Sequence, residues 1–149
     1  MIKGFCHVGI SVSDLDRSVG FYRDAFAMTL VAERHFGKGH TDERYERVLG
    51  LEGAAGRVAT LQSGNLEIEL FEFKNPKPKA ANMGRPVCDH GISHFCLHVT
   101  DIESEYARLK QAGVEFHCPP QYFDKIAAVT YGRDPDGNAF ELLEEFNQG

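Results

Sequence analysis

Two stretches of the chain open alike, and this internal repeat constrains the fold more than any other feature of the sequence. HVGISVSDLDRS, beginning at His7, and HFCLHVTDIESE, beginning at His94, lie 87 residues apart (94 − 7). They match at His, Val and Asp, with Ser/Thr, Leu/Ile and Asp/Glu exchanges between. The two copies also end alike: EIELFEF at 67–73 corresponds to AFELLEE at 139–145. At 149 residues the chain has the size of one domain, or of two half-size modules sharing a core.

Each copy reads as a strand running into a capped helix. In the first, Ser13 is the expected N-cap with Asp16 three residues on, and Leu15, Val19, Tyr22 and Phe26 form an apolar stripe at helical spacing. In the second, Thr100 and Glu103 form the expected capping box, Ile102, Tyr106 and Leu109 carry the stripe, and Gly113 is the stop. Further strands are predicted at Thr29 to Phe36, Arg57 to Gln62, Val114 to His117 and Ala127 to Tyr131, with a tight turn at Arg133 to Asn138 before the last strand. The expected architecture is α+β: two tandem βαβββ modules, 1–75 and 90–149, joined by a linker at 76–89 and forming a cupped mixed sheet with helices on its outer face. Lys74 to Asp89 holds Pro76, Pro78, Gly84 and Pro86 without periodicity, as a linker or a loop over a site would. Gly37 to Gly56 is a second irregular stretch, with a short helix expected around Tyr45 to Leu49.

Composition narrows the function. A net charge of -6 shows no basic face for nucleic acid. The N-terminus alternates like a strand at once and carries no signal-peptide pattern, and no apolar run is long enough to span a bilayer. Cys6, Cys88, Cys96 and Cys118 form no CxxC or zinc-finger spacing, so buried free thiols and a cytoplasmic location are expected.

Strand parity singles out four polar residues. Side chains alternate between faces, so the apolar neighbours of a residue point the other way. Cys6, Val8, Ile10 and Val12 leave His7 opposite them; Phe95, Leu97 and Val99 do the same for His94; Ile68 and Leu70 for Glu69; Phe140 and Leu142 for Glu141. If helices cover the apolar faces, both histidines and both glutamates share the other face, or else that face is an ordinary wet face of a sheet. Two imidazoles and two carboxylates suit a divalent metal ion: Zn, Ni, Co, Mn or Fe.

The segments HVGISVSDLDRSVGFYRDAFAM, IELFEF, SHFCLHVTDIESEYARLKQAG and RDPDGNAFELLE resemble, in order and spacing, the motifs of the vicinal-oxygen-chelate superfamily of glyoxalases, bleomycin-resistance proteins and dioxygenases. The resemblance covers nearly the whole chain. It implies metal ligands at His7, Glu69, His94 and Glu141, a set similar to that of bacterial glyoxalase I. It further implies a lyase, isomerase or epimerase acting on a small α-oxygenated carbonyl compound through a metal-stabilised enediolate, with Glu141 as general base and Glu69 as the symmetric alternative. The pair that holds glutathione in glyoxalase I, an Arg four residues after the first His and an Asn four after the first Glu, is replaced here by Ser11 and Phe73, and neither can form an Arg–carboxylate fork. Phe71 and Phe73 suit an apolar or aromatic substrate, or fill space between modules. Extradiol dioxygenases use two His and one Glu, which would leave Glu69 a bystander; a non-catalytic binding or resistance protein is the third reading. Members of the superfamily assemble as homodimers, and a small-molecule substrate, with no nucleic-acid or membrane partner, is implied. His98 is an ordinary polar residue or a support for His94. Tyr122, Lys125 and Tyr131 are ordinary surface residues or line a pocket mouth, and His35, His40, His90 and His117 receive no role.

Overall fold

The computed structural model describes residues 1–37, 39, 44–80 and 82–146, and the chain divides into two compact units, Met1–Ala81 and Asn82–Gly149. The first runs β1 (Val8–Ser11), α1 (Leu15–Phe26), β2 (Thr29–Phe36), α2 (Arg44–Leu49), β3 (Ala55–Ser63) and β4 (Leu66–Asn75). Its sheet has the order β1-β4-β3-β2. Only β1 and β4 are parallel, as they must be when α1 carries the chain back across one face. The second unit runs β5 (Phe95–His98), α3 (Ile102–Gln111), β6 (Glu115–Phe116), β7 (Gln121–Phe123), β8 (Ala127–Arg133) and β9 (Ala139–Glu145). Its sheet is ordered β5-β9-β8-β6 with β7 added to β8, and again the first and last strands are the parallel pair. The α+β class expected from the repeat is therefore present, with one mixed sheet per unit. β6 is shorter than the predicted strand over 114–117, and β7 carries no alternation that would have announced it. Among the described residues no helix is long and apolar enough to cross a membrane.

α1 and α3 each start one residue later than expected. Asp14, not Ser13, caps α1 by accepting from the Arg17 amide at 3.0 Å. Asp101, not Thr100, caps α3 by accepting from the Ser104 amide at 3.2 Å, and the Glu144 carboxylate accepts from the Asp101 and Ile102 amides at 2.8 and 2.9 Å. Aspartate holds a full charge at the positive helix end, which favours it over a neighbouring hydroxyl. Of the α1 stripe, Leu15 and Tyr22 are fully buried while Val19 and Phe26 are half-buried; of the α3 stripe, Ile102 and Leu109 are buried. Arg57 ties α1 to its sheet, reaching Asp16 at 3.1 Å and Glu72 at 2.9 Å.

The apolar residues beneath each helix fix which way the strands face. Ile68, Leu70, Phe140 and Leu142 are at most 1% exposed, so Glu69 and Glu141 between them project to the other side. Gly132 of β8 lies against the buried Phe140 ring, where a Cβ would collide with the ring. The four cysteines are free but exposed, contrary to the expected burial, because Cys6 precedes β1 and Cys88 and Cys118 lie in loops.

Candidate metal centre

The two units build their polar faces in the same register. His7 stands immediately before β1, and Glu69 of β4 pairs with Gly9, two residues further on. His94 stands immediately before β5, and Glu141 of β9 pairs with Cys96, again two residues further on. In the first half-site His7 Nε2 lies 3.3 Å from Glu69 Oε2; in the second His94 Nε2 lies 3.0 Å from Glu141 Oε2. Two ligands about 2.1 Å from one ion, at angles between right and tetrahedral, sit roughly 3.0–3.4 Å apart, so each pair has the bite of two cis ligands.

Around these pairs the resemblance ends. The first pair is open, with side chains 41% and 26% exposed. Its other ring nitrogen faces Glu67 Oε1 at 3.9 Å, and donor atoms of Cys6, His7 and Glu67 lie within 4.8 Å of one another. The second pair is tighter, at 28% and 16% exposed. Ser93 Oγ lies 2.8 Å from His94 Nδ1, which orients the ring so that Nε2 faces Glu141. Tyr131 of β8, directly across from Glu141, brings its hydroxyl to 3.3 Å from His94 Nε2 and donates to Glu141 Oε2 at 3.4 Å. Burial first, and then the Glu141 charge, raise the Tyr131 pKa, so its hydroxyl keeps its proton and remains a donor. The Cys96 thiol is pushed up to about 11 by partial burial, with the Glu141 charge and hydrogen bond adding to it, and so stays protonated at neutral pH.

Ser93 was not legible as a site residue, and Tyr131 was legible only as a surface or pocket-mouth residue, not as a partner of His94 and Glu141. The signal that would have found Tyr131 is parity carried one strand further: it shares a face with Val129 and Arg133, while Ala128, Thr130 and Gly132 alternate inward. The position matching Tyr131 in the first unit is Thr60, across from Glu69. His98 is exposed, 3.9 Å from Glu145, and does not support His94. Tyr122 is a surface residue donating to Glu103 at 2.8 Å, and Lys125 is exposed. His117 stacks on the Tyr131 ring at 6.2 Å, a contact absent from the sequence reading; His40 lies outside the described residues. Phe71 and Phe73 stack at 5.9 Å and meet Phe36, which in turn stacks on Tyr45 of α2. They form an aromatic wall on the strand that carries Glu69.

With this fold and these half-sites the chain belongs to the glyoxalase/bleomycin resistance protein/dioxygenase superfamily, whose sequence profile matches residues 4–142. It is 29% identical over 147 residues to a lactoylglutathione lyase of Schizosaccharomyces pombe, covering 93% of this chain but only 46% of that relative. A probable lactoylglutathione lyase of Synechocystis is 28% identical over 141 residues, with 93% of this chain and 92% of that protein covered. The crystal structure of a glyoxalase-family protein from Bacillus cereus shares the fold, with a TM-score of 0.87 at 24% identity over 99% of this chain and 97% of that one.

Proposed function

We propose that His7, Glu69, His94 and Glu141 together hold one divalent metal ion, and that the chain is a metal-dependent lyase or isomerase acting on a small α-oxygenated carbonyl compound. The observation that carries this reading is the repeated His–Glu bite, at 3.3 and 3.0 Å in the same strand register. Each half-site offers two protein ligands, fewer than the three or four that usually hold a catalytic or structural zinc, which favours joint use of the two pairs. The bound ion, whether Zn, Ni, Co, Mn or Fe, would supply Lewis-acid polarisation of a carbonyl oxygen.

The remaining work falls to the chain. Glu141 takes the proton from the hydroxyl-bearing carbon beside the carbonyl and returns it to the carbonyl carbon, while the hydroxyl proton passes to the former carbonyl oxygen, leaving substrate and product isomeric. Tyr131 steadies that carboxylate by donating to Oε2, and Ser93 fixes the His94 ring. Ser11 and Phe73 supply no fork for a glutathione carboxylate, and the aromatic wall of Phe71 and Phe73 favours a less polar substrate part than glutathione. The cytoplasm suits an enzyme of this kind with four free thiols.

Reconstituting the purified chain with each metal in turn, and following deuterium uptake at the α-carbon of hydroxyketones and of glutathione hemithioacetals, tests the reading. Metal-dependent uptake on the former, lost in Glu141→Gln, is expected. Failure to bind any of the five metals would overturn it. A second reading, an Fe(II) ring-cleaving oxygenase with Glu69 as bystander, draws on the greater exposure and longer contact of Glu69. Oxygen consumption with anaerobically loaded Fe(II) that survives Glu69→Gln would favour it.

A further inference from the structure

Arg133 ends β8 on the face that carries Tyr131, one pleat away, and lies across from Ala139, two residues before Glu141. It is half-buried, and among the described residues no carboxylate pairs with it, in a chain with 22 acidic side chains. Its partner on β6 is Glu115, yet the two form no ion pair or hydrogen bond. Instead Nε donates to His117 Nε2 at 3.1 Å and Nη1 donates to the Gly137 carbonyl at 2.9 Å. The His117 ring is held in its turn by lying 13° from parallel to the Tyr131 ring.

This arrangement is poorly explained by stability alone. A partly desolvated cation without a counter-charge costs free energy, and an acid directly across the strand pair was available to offset it. Pinning the turn at Gly137 needs one donor, not a guanidinium braced on both its Nε and Nη1 sides. The bracing leaves Nη2 with no hydrogen bond or ion pair among the described residues, so its hydrogens, one of them beside an Nη1 hydrogen, remain to meet a carboxylate. One pleat along a strand is roughly 6.6–6.8 Å, the length of a short carbon chain between a carboxylate and a reacting carbonyl.

We propose that Arg133, braced by His117 and Gly137, is the anion-recognition residue of this site, and that the substrate is a carboxylate-bearing α-oxygenated carbonyl compound. The anion contact stands on the second unit alone; only the place of the reacting carbonyl rests on the metal-dependent reading above. Arg133 is a binding residue here, not a proton-transfer group.

The full chain as purified, and again after EDTA treatment, is titrated with succinate and with dimethyl succinate while the Arg Nε–H signals are followed by NMR. Succinate is expected to move the Arg133 signal in both preparations and dimethyl succinate to leave it in place. Arg133→Gln should weaken succinate binding roughly tenfold or more, and Arg133→Lys, which keeps the charge but not the fork, should fall between. An unmoved Arg133 signal, or equal succinate binding by wild type and Arg133→Gln with only a lowered Tm, would make Arg133 a turn pin and overturn the proposal. Metal content measured on the same samples reports separately on the metal reading, because Arg133 is not among its ligands.

Discussion

The two half-sites share ligands and register but not surroundings. Glu69 faces Thr60 across the sheet where Glu141 faces Tyr131; Cys6 precedes His7 where Ser93 precedes His94; Gly9 is the strand partner of Glu69 where Cys96 is that of Glu141. A repeat fixes where backbone and ligands go, while neighbouring side chains are free to diverge afterwards. Divergence has left the second half-site supported by hydrogen bonds and the first open to solvent. A supported ligand loses less freedom on binding and is held nearer its working geometry, so under the proposed function the second unit would carry more of the metal affinity and the proton transfer.

That asymmetry is broken most directly by comparing matched substitutions. Glu141→Gln should lower turnover by roughly 100-fold to 10,000-fold, the range for losing a general base, whereas Glu69→Gln costs closer to tenfold. Equal losses would make the two carboxylates equivalent. His94→Ala should reduce metal affinity by more than the roughly 100-fold typical of an outer-shell partner, and His7→Ala by less, as competition with a chelating dye would measure. Tyr131→Phe should slow turnover roughly 10-fold to 100-fold by removing a hydrogen bond to a charged carboxylate, while Thr60→Val stays within about twofold. Smallest of all, Ser93→Ala should weaken metal binding about threefold to tenfold, the worth of one ordinary hydrogen bond, and Cys6→Ala should change it less.

Most of the fold was legible because it rests on short-range patterns. β2 and β9 fall at the predicted residues, and β3, β4 and β8 differ only by small extensions, because strand alternation and turn residues mark them locally. The His–Glu pairs were legible through parity and the repeat. What escaped depends on partners far away in the chain. Tyr131 meets Glu141 only through the β8–β9 register, and Ser93 matters only because of how the His94 ring turns. The cap of α3 also depends on a distant partner, because Glu144, 43 residues from Asp101, takes the first amides of that helix. Burial of the cysteines failed for a related reason: Cys6, Cys88 and Cys118 fall just outside regular elements, and Cys96 lies on the face of β5 opposite Phe95 and Leu97.

X-ray absorption at the metal edge of the chain loaded with Co or Zn, combined with metal analysis, reaches the central claim directly. One equivalent of metal per chain, with scattering from two imidazoles and the rest oxygen, is the expected result. Two equivalents with one imidazole each, or metal bound without imidazole, would mean that the half-sites do not share an ion.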